Sequence, residues 1–417
     1  MKFARICCIL AFMATLPISA ADLPITRLAR DPACARGLAW IDGSNAWVTQ
    51  QQIRLTEVPA PEYDEKNRAE LLKSIFAEMG YKPRIDDTGN VVAERLGMHT
   101  DRVVLIAAHL DTVFPAGTDV RVRREGKRLL APGISDNGAG LAALVGVARA
   151  FAESSVRTEA TIVFAGDVGE EGEGNLRGIR ALVDAYGARL AAVLAIDGPS
   201  TAHITTQGVA SRRFIFTISG PGGHSWSDFG LPNPITALAR GIVSFSAIRL
   251  PDLPRSTFNF GVIEGGNSVN SIPAEASVKV DLRSESDADL SRMETALRDA
   301  MQSGMAAEIS ARRSASGTLQ MSVRSLGLRP SGKLPDDSPL LQTIRYVDRY
   351  LQNPSRTESS STDANLPLSM SIPAVSLGGG GKGGGAHSLT EWYDPNGREL
   401  GLKRLLLTTV ALAGLQQ

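Results

Sequence analysis

Cysteine and histidine are scarce in this sequence, with 3 and 5 residues out of 417. Three cysteines cannot build a disulfide framework, so the fold must be stabilised by packing. Neither charge is in excess, because 44 basic and 44 acidic side chains cancel to a formal net charge of zero. Since nucleic-acid binding usually requires a basic surface, this balance argues against DNA or RNA as a partner. Hydrophobic residues make up 43% of the chain, which is typical of a globular protein.

The first 21 residues have the composition of a secretory signal peptide. Lys2 and Arg5 provide a positive start, and the mostly apolar stretch 6–18 is too short to span a bilayer. Residues 19–21, Ser-Ala-Ala, supply the small side chains of a cleavage site. An N-terminal anchor that is never cleaved is the alternative. No later stretch reaches about 18 consecutive apolar residues, so we expect a periplasmic or secreted protein without a membrane segment after cleavage.

Helical and strand patterns alternate along residues 22–209 and return from 326 to 417. Apolar runs such as Val103–Ala108 are bounded by charged residues, as expected of buried parallel strands. The segment between these two parts, residues 210–325, reads as strand, helix, two strands, helix and strand. The sequence therefore predicts an α/β domain with a mostly parallel sheet and, inserted into it, a small α+β sandwich.

A histidine directly follows the first of these apolar runs. Val103–Ala108 continues into His109-Leu110-Asp111, and ligands of open α/β sheets bind at the carboxyl ends of the strands. By itself, such a His-x-Asp sequence is more often a hydrogen-bonded loop histidine than part of a site. Its interpretation depends on what else reaches the same edge of the sheet.

Acidic side chains follow other predicted elements in the same way. Glu170 and Glu171 come after one predicted strand, and Asp197 ends the next. Asp136 lies where a loop meets the start of a helix. Carboxylates gathered at one edge repel one another unless a cation neutralises them, and histidine with carboxylates is a zinc-type ligand set. His387, after the return to the α/β domain, is the candidate for a second histidine ligand.

Five segments in this order resemble a known family. They are HLDTVFP at 109–115, GISDNGAG at 133–140, GEEGEGNLRG at 169–178, GPGGHS at 220–225, and a histidine followed by an acid and an aromatic residue at 387–392. The sequence resembles the dizinc exopeptidases and deacylases, a family that includes glutamate carboxypeptidase, acetylornithine deacetylase, succinyl-diaminopimelate desuccinylase, aminoacylase and tripeptide aminopeptidase. The resemblance covers nearly the whole chain after residue 21.

The resemblance implies a site for two zinc ions, with cobalt or manganese as alternatives. His109 and Asp197 would complete the coordination of one ion, and Glu171 and His387 that of the other. Asp136 would bridge both ions, and the peptide bond that follows it would be cis. The residual positive charge of such a site would lower the pKa of a bound water and polarise an amide carbonyl.

The resemblance also implies roles for side chains beside the metal. Glu170 would be the general base, which takes a proton from water and passes it to the leaving amine. Asp111 would accept a hydrogen bond from the other ring nitrogen of His109 and fix its tautomer. His224, in the inserted domain, would reach the active site of a partner subunit and stabilise the oxyanion. The inserted domain would accordingly serve as a lid and form a homodimer.

Two further positions match substrate contacts of the family. They are Asn270 in Asn-Ser-Ile-Pro and Arg283 in Val-Asp-Leu-Arg, and an arginine can grip a carboxylate with two hydrogen bonds. A surface arginine on a strand is the alternative for Arg283. The glycine-rich stretch 378–385 has two interpretations: a flexible loop, or a close backbone approach to substrate beside His387.

These observations predict a secreted zinc-dependent hydrolase that cleaves an amide bond near a free carboxylate. Its substrate would be a small peptide or an N-acyl amino acid. A non-catalytic relative that binds metal or peptide is the alternative. Retention of Glu170 favours the enzyme, because a purely structural metal site needs no base beside its ligand.

Overall fold

The structure, a computed structural model of the chain, describes residues 23–250, 252–312 and 317–416. The predicted signal peptide, residues 1–21, lies outside the described residues. Across these ranges, no helix combines the length and the apolar character that crossing a membrane requires.

Four helices of the described part precede the first strand. They are α1 (Leu23–Arg30), α2 (Pro32–Gly43), α3 (Asn45–Thr56) and α4 (Lys66–Glu78). Asp31 caps α2, because its carboxylate accepts hydrogen bonds from the amides of Ala33 and Cys34 at 2.9 and 3.1 Å. Burial raises the pKa of the Cys34 thiol to about 12, so this thiol stays protonated and packs as a small apolar side chain.

A nine-stranded sheet forms the centre of the larger domain. Its main path runs through β1 (Arg84–Ile85), β2 (Val91–Arg95), β6 (Ala160–Asp167), β3 (His99–His109), β7 (Leu190–Ile196), β17 (Ala374–Leu377), β8 (His203–Gly208) and β15 (Gly332–Lys333), while β16 (Arg356–Ser360) pairs with β8. The central strands β6, β3, β7 and β17 are parallel. All of β6 and the part of β3 from Val103 onward are buried, as expected of parallel strands covered on both faces.

Further helices flank this sheet. They are α5 (Gly138–Ser154), α6 (Arg177–Tyr186), α9 (Pro339–Tyr350), α10 (Asn365–Ser369) and α11 (Arg398–Ala413), with a short 3-10 helix at Gly187–Arg189. Asn137 caps α5, since its side chain accepts a hydrogen bond from the Gly140 amide at 3.1 Å. Helix α5 is buried along almost its whole length and packs against α2, α3 and α11. Its small and aliphatic composition follows from this burial.

A second domain with its own hydrophobic core is inserted between β8 and β15. Its four-stranded antiparallel sheet has the order β11 (Ser256–Gly265), β13 (Glu275–Ser284), β9 (Ala210–Ser219) and β14 (Gln320–Arg329). Two helices, α7 (Pro234–Ser246) and α8 (Asp287–Ser310), pack on this sheet, and a small ribbon pairs β10 (Gly223–His224) with β12 (Ser271–Ile272). The predicted fold class, a mostly parallel α/β domain with an inserted α+β sandwich, is confirmed.

The last strand of the inserted domain is longer than its sequence pattern indicates. The apolar pattern suggests a strand that stops near residue 323 and a domain boundary at 325, but β14 continues to Arg329. Its pairing with β9 extends to the register Arg329↔Ser211 after an irregularity at Ser325/Gly327. The strand therefore carries Arg329 back to the larger domain.

A third, small sheet joins distant parts of the larger domain. Its order is β18 (Lys382–Gly384), β19 (Trp392–Asp394), β5 (Arg128–Leu130) and β4 (Arg123–Glu125). The sequence does not predict this sheet, because strands of three residues are too short to show a periodic pattern. The sheet lies beside the Gly133–Asp136 segment and brings the chain around His387 next to it.

Candidate metal centre

The predicted ligands converge at the carboxyl edge of the central sheet. His109 is the last residue of β3, and Asp197 follows β7 directly. Asp136 precedes α5, and Glu171 lies in the loop after β6. His387 follows β18. Potential ligand atoms form three overlapping groups, within each of which they lie no more than 4.8 Å apart: His109, Asp136 and Asp197; His109, Glu170 and Glu171; Asp136, Glu171 and His387.

Asp136 stands between the two histidines. One of its carboxylate oxygens is 3.3 Å from Nε2 of His109, and the other is 3.2 Å from Nε2 of His387. The same nitrogen of His387 is 3.0 Å from a carboxylate oxygen of Glu171. The peptide bond between Asp136 and Asn137 is cis. Asp136 thus presents its two oxygens to two separate groups of side chains.

Burial and neighbouring charges shift the pKa values of the clustered side chains. Burial raises the pKa of Asp197 to about 7, and the neighbouring charge of Asp136 adds to this rise. Hydrogen bonds to Asp136 and Glu171 raise the pKa of His387 to about 10. Burial would lower the pKa of His109, but Asp136 and the other carboxylates around it raise it well above its usual value. The carboxylates thus favour the charged form of each histidine, whereas burial disfavours the charged form of Asp197.

The donor set fits a metal centre. Nε2 of His109 is buried and has no well-aligned hydrogen-bond partner among the described residues, although it points toward Asp136. A buried polar atom without a partner is costly, and a metal ion would satisfy it. Imidazole and carboxylate ligands suit zinc and related divalent ions.

The contact that Asp111 makes with His109 differs from the prediction. Nδ1 of His109 lies 3.1 Å from the main-chain carbonyl oxygen of Asp111 and 3.7 Å from its carboxylate. A carbonyl oxygen can only accept a hydrogen bond, so Nδ1 donates, and Nε2 is the nitrogen that faces Asp136 and could act as a ligand. The main chain of Asp111, not its side chain, therefore orients the ring.

The Asp111 carboxylate instead holds the loop after β6. It accepts hydrogen bonds from the amides of Gly169, Glu170 and Glu171 at 2.8, 3.1 and 2.8 Å. The carboxylate is fully buried. Hydrogen bonds to an ionised acceptor are the stronger kind, so the loop that presents Glu170 and Glu171 is folded around this side chain.

Arg329 is a site residue that the sequence did not reveal. Its Nη1 donates to Oε1 of Glu170 at 2.7 Å and to Oγ of Ser361 at 3.1 Å, and its Nη2 donates to the main-chain oxygen of Glu170. Burial raises the pKa of Glu170 to about 8, and the charge of Arg329 limits this rise. Arg329 is 159 positions from Glu170 in the chain, and no local pattern connects the two.

Two buried aspartates near this pair were also not predicted. Asp167 ends β6 directly beside His109 in the parallel register, and Asp363 lies in the loop before α10. Burial, followed by the charge of Asp167, raises the pKa of Asp363 well above its usual value. Neither carboxylate oxygen of Asp167 receives a hydrogen bond from an ordinary donor of the described residues.

His224 and Asn270 lie together on the inserted domain. His224 is exposed on β10, and its Nδ1 accepts a hydrogen bond from the Trp226 amide at 3.1 Å. The carbonyl of Asn270 accepts one from the Ser225 amide at 2.9 Å. Within the described residues, no contact joins His224 or Asn270 to the five predicted ligands. The structure thus groups these two residues with each other.

Arg283 lies at the junction of the two domains. Its Nε donates to the Asp281 carboxylate at 2.7 Å. It also lines a cavity of about 200 Å³ together with Val209, Arg255, Thr257, Glu285 and Ser359–Ser361. Since Ser361 accepts a hydrogen bond from Arg329, the cavity wall is one residue away from the pair of Arg329 and Glu170.

The glycine-rich stretch 378–385 is packed, not loose. A Cβ atom on Gly383 would overlap Oγ of Ser135, and one on Gly380 would overlap the main chain of Arg398. Gly381 has a φ of +85°, a conformation that side chains rarely adopt. Glycine is thus needed at these positions for close contact with the protein itself.

The fold is a parallel α/β domain with an inserted α+β domain, and the edge of its central sheet carries side chains that could hold metal ions. The chain belongs to the peptidase family M20/M25/M40, whose sequence profile matches residues 105–409. The resemblance noted in the sequence is thereby confirmed.

Curated relatives match parts of the chain. It is 28% identical over 241 residues to a Mycobacterium tuberculosis protein assigned as succinyl-diaminopimelate desuccinylase DapE, covering 55% of this chain and 65% of that protein. It is 37% identical over 128 residues to a Pyrococcus abyssi protein assigned as a LysW-lysine/LysW-ornithine hydrolase, covering 31% of this chain and 34% of that protein. The matched region thus spans less than two thirds of either relative.

Solved structures share the fold over most of their length. A Staphylococcus aureus tripeptidase has a TM-score of 0.71 at 19% identity, covering 88% of this chain and 98% of its own. Human carnosine dipeptidase 1 has a TM-score of 0.72 at 14% identity, covering 91% and 99%. Bacillus subtilis YXEP, described as a dinuclear metal-binding peptidase of family M20, has a TM-score of 0.63 at 15% identity, covering 89% and 99%. At these identities the likeness establishes the fold alone.

Proposed function

We propose that the chain is a secreted, two-zinc exopeptidase or N-acyl amino acid amidohydrolase, with cobalt or manganese as alternative metals. The observation that carries this proposal is the position of Glu170. It lies next to the candidate ligand Glu171, is itself buried, and is held by Arg329. A structural metal site would not require such a carboxylate beside its ligands.

The ligand assignment follows the grouping of the side chains. Asp136 faces both histidines and is the candidate bridging ligand, with His109 and Asp197 on one side and Glu171 and His387 on the other. When bound, the metal ions would polarise an amide carbonyl and lower the pKa of a water molecule. Two metal ions are the stated property of the related Bacillus subtilis protein.

Glu170 is suited to move the proton. Its pKa of about 8 lies close to neutral pH, so the carboxylate can accept a proton from water and return it to the leaving amine. Arg329 fixes one of its oxygens by a hydrogen bond of 2.7 Å, which leaves the other oxygen for the reaction. Positioning of this kind is what a general base requires.

The inserted domain is proposed to be a dimerising lid. Nδ1 of His224 is engaged by the Trp226 amide, so Nε2 faces outward and can reach the site of a partner subunit. The edge strand β11 exposes Val262 and Ile263, at 43% and 61% of their surface. An exposed apolar edge strand is a common pairing surface.

The substrate is proposed to be a small peptide or an N-acyl amino acid with a free carboxylate near the scissile amide. Arg283, with Asn270, is the candidate for its recognition, and the cavity of about 200 Å³ that Arg283 lines admits a group of small size. The names of similar proteins, a tripeptidase, a dipeptidase and a desuccinylase, support this range of amide substrates. The predicted signal peptide supports a periplasmic or secreted location.

A Glu170→Gln variant tests the proposal. We expect it to bind metal as the wild type does and to lose hydrolysis by about 100-fold or more, because the amide cannot take up a proton. Metal content would be measured by elemental analysis, and hydrolysis of dipeptides, tripeptides and N-acyl amino acids by mass spectrometry. A variant that retains both metal and full hydrolysis would contradict the mechanism. A wild type that binds metal but hydrolyses no member of the panel would favour a non-catalytic binding protein.

A further inference from the structure

A buried carboxylate lies under the segment that carries the candidate bridging ligand. Glu391 is 0% exposed. Its Oε2 accepts a hydrogen bond from the Gly133 amide at 2.8 Å, and its Oε1 accepts two, from the amides of Ser135 and Asp136, at 2.7 Å each. The main-chain oxygen of Glu391 also accepts from the Ala131 amide at 3.2 Å. Residues 131–136 are thus wrapped around a single side chain.

The arrangement repeats the one on the other side of the site. Asp111 receives the amides of Gly169–Glu171, and Glu391 receives those of the segment that includes Asp136. In both loops the oxygens of a buried carboxyl group accept hydrogen bonds from amides that would otherwise lack partners. Each loop keeps its shape through protein contacts that do not involve a metal ligand atom.

Glu391 is also tied to the second histidine. His387 lies four positions earlier, in a turn closed by hydrogen bonds from Ser388 to Gly385 at 3.0 Å and from Glu391 to Ser388 at 3.2 Å. His387 has a φ of 64°, which is uncommon for a residue with a side chain. Its side chain is 53% exposed, so packing alone does not fix it. The turn that ends at Glu391 positions the main chain of His387, and the contacts of Nε2 with Asp136 and Glu171 orient its ring.

The other side of the cluster is anchored differently. His109 ends a buried strand and is 1% exposed. Asn137 holds the main chain on both sides of Asp197, since its Nδ2 donates to the oxygen of Ile196 at 2.8 Å and its Oδ1 accepts from the Gly198 amide at 3.2 Å. The central sheet thus supports His109 and Asp197, whereas the placement of Asp136 relative to His387 depends on Glu391.

We propose that Glu391 is a positioning residue that sets the distance between Asp136 and His387, and thereby the affinity of the metal position on the His387 side. This inference rests on the proposed two-metal function. Ligand-supporting groups of this kind typically change metal affinity by about 10–100-fold when they are replaced. The position formed by His109 and Asp197 depends less on Glu391.

The test is a titration of the metal-free, full-length protein with Co²⁺, followed by visible absorption and calorimetry. In Glu391→Gln, an amide NH₂ must face at least one main-chain N–H, so a hydrogen bond is lost and two donors oppose each other. We expect one of the two binding steps to weaken by about 10-fold or more and the other to change by less than about 3-fold. Glu391→Asp keeps the charge but shortens the reach, and should weaken the same step to an intermediate degree.

Glu399→Gln is the matched control. Glu399 is exposed at the start of α11. Its replacement removes the same charge eight positions from Glu391 and should leave both metal-binding steps unchanged. Circular dichroism of the metal-free variants separates misfolding from a change in affinity, and the aspartate variant serves if the glutamine variant does not fold. Two unchanged steps, or equal weakening of both, would overturn the inference. A wild type that takes up fewer than two ions would instead contradict the proposed function.

Discussion

At Glu170, burial and the charge of Arg329 shift the pKa of the carboxyl group in opposite directions. Removal from water raises the pKa of its carboxyl group, and the guanidinium of Arg329 lowers it. The pair is almost completely enclosed, with side-chain exposures of 4% and 6%. Because so little water reaches the pair, the charge of each side chain is stabilised mainly by the other.

Arg329→Gln should therefore shift the pH dependence of hydrolysis. Loss of the positive charge raises the pKa of Glu170 further, so the ionised form that accepts a proton is lost at higher pH. We expect the acidic limb of kcat/KM to move upward by about one pH unit or more. Arg324→Gln, on an exposed position of the same strand, is the control and should leave the profile in place. If the acidic limb of kcat/KM does not move in a folded Arg329→Gln variant, Arg329 does not set the pKa of Glu170.

Individual site residues were predictable where a motif contained them. His109, Asp136, Glu171 and Asp197 each follow or open a recognisable element, and His387 follows the glycine-rich stretch. The structure brings all five together. No motif or element boundary identifies Arg329 or Asp363, because their partners lie far away in the sequence. The sequence also could not show that Asp111 uses its carbonyl for His109 and its carboxylate for a loop.

At the scale of elements, the parallel strands were the most predictable feature. Their apolar runs are continuous because both faces are covered, and the end of each run marks where a ligand can lie. The small sheet that contains β18 was not predictable, since glycine and short polar strands give no period. It nevertheless determines how close the chain before His387 comes to the Gly133–Asp136 segment.

Gly383→Ala tests this close packing. The added methyl group would collide with Ser135, one residue from Asp136, and the strand would have to move away. We expect the free energy of unfolding to fall by about 1–3 kcal/mol, measured by urea denaturation. Gly43→Ala is the control, because no atom lies within 4 Å of the added Cβ, and its stability should be unchanged or slightly higher. Equal stabilities of the two variants would mean that β18 can move away from Ser135 without lowering the free energy of unfolding.

At the scale of the whole molecule, the inserted domain contributes to the site in the larger one. Its last strand ends at Arg329, which contacts Glu170. The order of elements was predictable from the sequence, but the extension of β14 past residue 325 was not, because its pairing with β9 continues where the apolar pattern stops. The inserted domain is thus connected to the carboxyl edge of the central sheet by a side chain as well as by the backbone.

If His224 acts across a dimer, two inactive variants should complement each other. A His224→Ala subunit keeps its own metal ligands, and a His387→Ala subunit supplies an intact His224 to its partner. Random mixing should recover about one quarter of wild-type activity, since half of the dimers are mixed and each has one complete site. A mixture of His109→Ala and His387→Ala is the control and should stay inactive. No recovery, with mixed dimers shown by mass spectrometry, would contradict action in trans.

The two loops folded around Asp111 and Glu391 have a consequence for the energetics of chelation. In a zinc finger the metal is the core, and its removal unfolds the protein. Here the amides around the candidate ligands are satisfied by carboxylates of the chain itself, so we expect the metal-free protein to keep the shape of the site. If metal ions bind here as proposed, their binding free energy would then contribute to affinity instead of folding, and one divalent ion could be exchanged for another without unfolding the chain.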